Sequence, residues 1–347
     1  MKEAFAKFKK SPAFTGFVLF MIVLIINICV QGPKSFFTLQ NISLLMKTYT
    51  PLILVTLAQG LLMIMGIIDI SIGIQMSLAN VVAIMLPIKL GLPLPLAWFC
   101  GLLAVVAISA LNGFIVAYLR IPPLLAGFAM IYIIKGLNVL IMPKPQGSVP
   151  DYIYKPYASN LLGFIPFGAL VVAVAFAFWL YLKRTRLVRH MYAIGGNERN
   201  AYATGINSAA TKMKVYIICG VFTGAAGLCL TAMSASGNPL MGEDYGLRSI
   251  SACILGGISL SGGWGTLSCS LFGSGFLALI QNSVYHIFSL LPKLIPGFQV
   301  NTYWQNLVSD AIILLGLVAT LFTNRAQAAA FKQGIAKQIK GGEKVGK

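Results

Sequence analysis

Residues Lys183 to Lys214 read KRTRLVRHMYAIGGNERNAYATGINSAATKMK, a basic island in an otherwise apolar chain. The island holds seven Lys or Arg against one acid, Glu198, and the sequence on either side of it reads as membrane. In its middle Gly195-Gly196-Asn197 is followed by the small residues Ala201 and Ala203 and then by Gly205-Ile206. A Gly-Gly turn entering a short surface helix, with Asn197 as its N-cap, is the local expectation. Small side chains at such a place let a partner approach closely, so the island reads as a docking surface.

Composition supports the same division. Of 347 residues 58% are hydrophobic and only 34 are charged, with a mean hydropathy of +0.84, which excludes a soluble globular protein. Eighteen of the 26 Lys and Arg fall in the first ten residues, at Arg120, in the island and in the tail after Asn324. Cytoplasmic segments of membrane proteins are marked in this way, so the net charge of +18 reports topology and no nucleic-acid partner is expected. Six cysteines (Cys29, Cys100, Cys219, Cys229, Cys253, Cys269) lie in or beside apolar runs without a CxxC pair and read as small core residues.

Working outward, about ten apolar runs are long enough to span. Ala13 to Val30 follows a basic N-terminus with no small-residue cleavage site, and reads as an uncleaved first helix. Gln31 to Lys47 reads as an outside loop. Pro51 to Leu86 is too long for one helix and should break at Gly66-Ile67-Ile68-Asp69-Ile70-Ser71-Ile72-Gly73. Leu94 to Leu119, Leu124 to Met142 and Leu161 to Leu182 follow, separated by the Arg120-Ile121-Pro122-Pro123 return and by an outside loop from Pro143 to Asn160. Six crossings place the island inside. Val215 to Ala235, Leu247 to Leu260, Leu267 to Ile287 and Tyr303 to Phe322 complete the set, with Ser236 to Gly246 and Pro292 to Asn301 as outside turns. The expectation is an all-α, polytopic membrane bundle with both termini cytoplasmic. It forms one transmembrane permease domain over residues 1–323, with a cytoplasmic segment at 183–214 and a polar, basic tail at 324–347. GIIDISIG at Gly66 and GGISLSGG at Gly256 could mark pseudo-symmetric halves with broken helices.

Chemistry is scarce. His190 and His286 are far apart without an HExxH, and no GxxxxGK[ST] occurs, so neither a metal site, nor a hydrolase, nor an ATP site of the chain's own is expected. Asp69 has two readings. It belongs to a polar transport lining with Ser71, or it caps the helix that follows. Asp310, mid-span, would pair within the bundle with Ser309 or Lys135, while Asn112, Asn138, Gln281 and Asn282 read as interhelical polar contacts. The five glycines among Gly256 to Thr266 must be enclosed by protein or line water, as a tight turn or a gate.

Taken together, Ile68-Asp69-Ile70-Ser71-Ile72-Gly73, Leu111-Asn112-Gly113, Ile121-Pro122-Pro123, Ala193-Ile194-Gly195-Gly196-Asn197 with Gly205-Ile206, and Gly256 to Thr266 resemble the permease subunit of a bacterial ATP-binding-cassette sugar importer. The branch is that of ribose, xylose, galactose and autoinducer-2. The resemblance implies a non-catalytic, multi-pass subunit of the bacterial cytoplasmic membrane that binds no cofactor itself. ATP and Mg would sit on a partner ATPase. A second permease copy or paralogue and a periplasmic or lipid-anchored sugar-binding protein complete the implied assembly. It further implies that Ala193, Gly195, Gly196, Asn197, Glu198, Arg199, Ala201, Gly205 and Ile206 couple to the ATPase. Candidate path or gate residues are Asp69, Ser71, Asn112, Gly257, Ser259, Gly262, Gly263 and Asn282. Gly246, Arg248 and Lys135 depart from the family pattern, which leaves the solute open. Branched-chain amino-acid or nucleoside importer permeases share the coupling segment, and a stand-alone secondary transporter is the reading from another class.

Overall fold

Thr38 is extended and its hydroxyl accepts from the Asn41 amide, and from this cap a single helix runs to Ile64. A computed structural model describes residues 11–161, 163–294 and 301–323. The basic residues 1–10, the tail 324–347 and most of the loop from Pro292 to Asn301 lie outside the described residues. The long apolar run breaks at the expected motif, with α3 (Leu39–Ile64) and α4 (Ile72–Leu90) on either side of Gly66, which has φ +74. Before them come α1 (Ala13–Gln31) and the short α2 (Pro33–Phe36). After them come α5 (Leu94–Ala117), α6 (Pro123–Ile141), β1 (Gln146–Ser148), α7 (Asp151–Ala158) and the hairpin β2 (Asn160–Leu161) with β3 (Ile165–Pro166). The chain continues through α8 (Phe167–Leu182), α9 (Arg186–Gly196), α10 (Glu198–Ala203), α11 (Ser208–Ser234), β4 (Ser236–Gly237), α12 (Tyr245–Gly256), α13 (Leu267–Leu294) and α14 (Thr302–Thr323).

Seven of the described helices are long and apolar enough to cross a membrane, or eight if α8 and α9, bent by 80°, count as one span. The protein is thus a multi-pass, mostly helical membrane protein. Its layering is the reverse of a water-soluble core. The most apolar of the seven long helices, α1, has a hydropathy of 2.7 and is largely exposed, whereas α3 and α4, at 1.3 and 1.5, are enclosed. Lipid takes apolar surface without cost, so polar side chains gather inside: Thr56, Gln59, Gln75, Ser77 and Asn80 are all fully buried. α11 packs on α5 where Gly220 faces Ser109 and Val106, and an added Cβ there would stand 2.8–2.9 Å from them.

The chain divides into two compact units, Met1–Ser283 and Val284–Lys347. Within the first, buried Asn27 of α1 ties to the middle of α13. Its Nδ2 donates to the Leu279 carbonyl at 2.9 Å and to Ser283 Oγ at 2.6 Å, and its Oδ1 accepts from Asn282 Nδ2 at 2.9 Å. Interhelical polar contacts in membranes contribute about 0.6–2 kcal/mol each. Asn27→Leu should therefore lower thermal stability in detergent by about 1–3 kcal/mol, and an unchanged unfolding midpoint would remove this network from the account of how α1 is held.

Several boundaries differ from the sequence reading. Gln31 to Lys47 is mostly helical, because Thr38 caps α3 thirteen residues ahead of Pro51, a proline the helix accommodates. The expected span from Leu161 begins with a hairpin and becomes helix only at Phe167. Leu247 to Leu260 is the 12-residue α12, which Gly257, at φ +106, terminates. The basic island contains the expected short helix capped by Asn197, α10, but the rest of it is helical rather than loop, as α9 and the first turns of α11. Cys29 is exposed on α1 rather than in the core, a position that a lipid-facing surface accepts; four of the other cysteines are buried. Lys135 pairs with Glu243 rather than Asp310. At one end of the bundle the two turns read as outside meet, since β1 pairs antiparallel with β4.

Candidate functional site

Asn197 decides the geometry of the island. Its Oδ1 accepts from the Asn200 amide at 3.0 Å, so it opens α10 as an N-cap, while Gly195 and Gly196 form the last turn of α9 instead of a free turn. The two helices make a corner with two unlike faces. Val188, Met191, Ile194 and Ala201 are buried inward. Gly196, Asn197, Glu198, Arg199, Gly205 and Tyr202, the last 75% exposed, face outward, with Ala193 and Ile206 half-buried between.

The inward face seats on backbone. Gly263 N–H donates to the Ile64 carbonyl at 2.8 Å, and Gly195 lies against both: an added Cβ would collide with Ile64 O and stand 2.5 Å from Gly263 N. Gly263 has φ +71, and a Cβ on it would come within 2.9 Å of Gly196 N. Gly66 in turn faces Ser261, whose carbonyl would be 3.0 Å from an added Cβ. Three glycine-containing segments, the break after α3, the end of α9 and the turn after α12, therefore touch backbone to backbone. Tyr192 fastens the arrangement by donating its hydroxyl to the Gly265 carbonyl at 2.6 Å. Burial pushes the Tyr192 phenol up to about 12, so it remains a neutral donor at any physiological pH.

Beside this junction lies an open groove of about 1010 Å³, bounded by Gly66, Arg120, Pro123, Gly196, Arg199 and Lys212 among others. Arg120 holds φ +56, uncommon for a residue with a side chain, at the return between α5 and α6. Lys212 pairs with Glu198 at 2.6 Å, leaving Arg120 and Arg199 to give the groove a positive character.

The candidate path residues fall in three separate places. Asp69, Ser71 and Asn112 form one fully enclosed cluster. Asp69 Oδ1 accepts from the Ser71 amide at 2.8 Å and from Ser71 Oγ at 2.6 Å, and Oδ2 accepts from Asn112 Nδ2 at 2.8 Å. Gly257, Ser259, Gly262 and Gly263 form the tight turn at the junction, where the Gly262 amide donates to the Ser259 carbonyl. Asn282 belongs to the Asn27 network. Sequence reasoning missed Tyr192 and the Ile64 carbonyl, since nothing in a linear sequence marks which carbonyl a distant amide will find. Sequence reasoning also passed over Tyr202, for which the available signal was a lone aromatic in a short polar helix.

A family profile described as branched-chain amino acid transport system, permease component, matches residues 41–317. The chain is 28% identical over 324 residues to the galactose/methyl galactoside import permease protein of Haemophilus influenzae, covering 86% of this chain and 92% of that one. It is 29% identical to the ribose import permease protein of Escherichia coli K12, covering 88% and 92%. It is 30% identical to the L-arabinose ABC transporter permease protein of Azospirillum brasilense, covering 92% and 90%. No solved structure matches the chain.

Proposed function

We propose, from the premise that this chain belongs to the family of branched-chain amino acid transport system permease components, that it is the membrane-spanning subunit of an ATP-driven sugar importer. It catalyses no reaction itself. Relatives named for galactose, ribose and arabinose, each matched over most of its length, favour a sugar over an amino acid or nucleoside. In this reading ten crossings arise as the seven long helices, α8 before its 80° bend into the cytoplasmic α9, α12 with the segment leading into it, and α14. Residues 1–323 then form one permease domain in the cytoplasmic membrane, with both termini, the groove and the island on the cytoplasmic side.

One observation carries the coupling role: the α9–α10 corner presents an exposed outer face while its inner face is fixed to the backbone of both helix breaks. A partner ATPase holding ATP and Mg would press on Tyr202 and Arg199, and a rigid corner passes that displacement to α3 and α12. A second permease copy or paralogue and a periplasmic or lipid-anchored binding protein complete the system. Binding energy at interfaces concentrates in exposed aromatic and Arg side chains. Tyr202→Ala should thus reduce solute-stimulated ATP hydrolysis at least tenfold and weaken copurification of the ATPase, with unfolding of the permease unchanged. Ala201 would be a poor probe, since it is buried and any large substitution disturbs packing. Solute uptake into liposomes by this chain alone would overturn the importer reading and favour a secondary transporter.

A further inference from the structure

A spanning helix carries a charge that the docking corner does not use. Lys135 lies on α6 six residues before its end at Ile141, roughly 9 Å along the axis, and pairs with Glu243. Glu243 belongs to a stretch between β4 and α12 that the sequence places outside the membrane, yet the stretch runs inward along α4. The Asn238 amide donates to Asn80 Oδ1 at 2.8 Å, the Gly242 amide donates to Ser77 Oγ at 2.8 Å, and Gly246 packs on Ile70. From Asn80 to the start of α4 at Ile72, just beyond Ile70, is about 12 Å of helix rise. Non-helical backbone at such depth is tolerated only where protein or water covers it.

The ion pair is not enclosed. The Lys135 side chain is 28% exposed and that of Glu243 44%, with Asp244 exposed beside it. Tyr132, one turn earlier on α6, is also exposed, and a Cβ added at Gly136 meets nothing within 4 Å. Next to these, Asn138 is fully buried. Its Nδ2 donates to the Pro239 carbonyl at 3.1 Å, but its Oδ1 has no hydrogen-bond partner. Lipid cannot solvate an open ion pair and a second carboxylate, whereas water or a solute's hydroxyls can.

We propose that Lys135, Glu243 and Asp244, with the backbone from Pro239 to Gly242, line the water-filled solute path. The Lys135 ammonium can donate to hydroxyl oxygens of a passing solute, and the Glu243 and Asp244 carboxylates can accept from its hydroxyl protons. The Tyr132 ring supplies a flat apolar surface for a sugar face. This rests on the importer reading for the solute and for the direction of movement.

The test uses the full chain, with the subunits that copurify, in proteoliposomes, with Cys29 and Cys100 replaced by serine. Gly136→Cys and Asp244→Cys should react with externally added, membrane-impermeant methanethiosulfonates at least tenfold faster than Leu103→Cys, an exposed apolar position on α5. Adding Glu243→Gln to Gly136→Cys should raise the ratio of anionic to cationic reagent reactivity at least threefold, because Lys135 is then unmatched. Equal labelling of all three positions, or an unchanged reagent ratio, would overturn the proposal. Transport without an ATPase would sink the importer reading yet leave both labelling results standing.

Discussion

Gly195→Ala is expected to abolish solute-stimulated ATP hydrolysis, while Gly196→Ala, the neighbouring substitution, leaves it intact. The two glycines look alike in sequence, but their surroundings differ completely. At Gly195 the new methyl would enter the Ile64 carbonyl and the Gly263 amide, the two ends of one hydrogen bond. Backbone cannot swing aside as a flexible side chain can, so α9 must lift off the junction. Overpacking of this kind costs about 1–3 kcal/mol, and the lost hydrogen bond adds about 1 kcal/mol. At Gly196 an added Cβ meets nothing within 4 Å, and alanine is favoured over glycine inside a helix by about 1 kcal/mol. Hydrolysis by the purified complex, with and without binding protein and solute, reads the difference. Equal activity of the two variants would mean that the contact between α9 and the glycine turn does not transmit force.

Substitution of Asp69 separates its two readings. Asp69→Ala removes an acceptor that satisfies three donors, namely the Ser71 amide, Ser71 Oγ and Asn112 Nδ2, all without access to solvent. Hydrogen bonds to an ionised group contribute about 1.5–3 kcal/mol each, and orphaned buried donors cost about 1–3 kcal/mol each, so a loss on the order of 3 kcal/mol or more is expected. Asp69→Asn should be far milder. Its Oδ1 can still accept from Ser71, and because Asn112 Oδ1 has no partner, a flip of the Asn112 amide lets it accept from the new Nδ2. If Asp69 only shapes the start of α4, the asparagine variant transports at close to the normal rate. A variant that is stable but transports at a tenth of that rate or less would instead establish that the charge itself is needed on the solute's route.

Much of the architecture was legible because membranes impose simple rules. A span needs a run of apolar residues of a certain length, so α1, α5 and α6 could be placed to within a few residues, whereas α11 starts, and α13 ends, seven residues beyond its apolar run. Glycine and Asp at Gly66 to Asp69 marked a break because no helix continues comfortably there. What failed to show was the character of the segments that neither span nor lie free. The stretch from Ser236 to Asp244 has the polar, glycine-containing composition of an exposed turn, yet its amides find Asn80 and Ser77 along α4. Its depth is set by those partners, and they are far away in sequence.

By itself, then, the sequence determined a basic island between apolar spans, two helix breaks and a cap at Asn197, each a property of local composition and backbone preference. Only the tertiary structure decided that the island is a corner of two helices, that Gly195 and not Gly196 touches both breaks, and that Lys135 meets Glu243 within the span. The physical reason is the same in every case. Local signals act through neighbouring residues, whereas close backbone approach and side-chain pairing depend on which distant segments the bundle brings within a few ångströms.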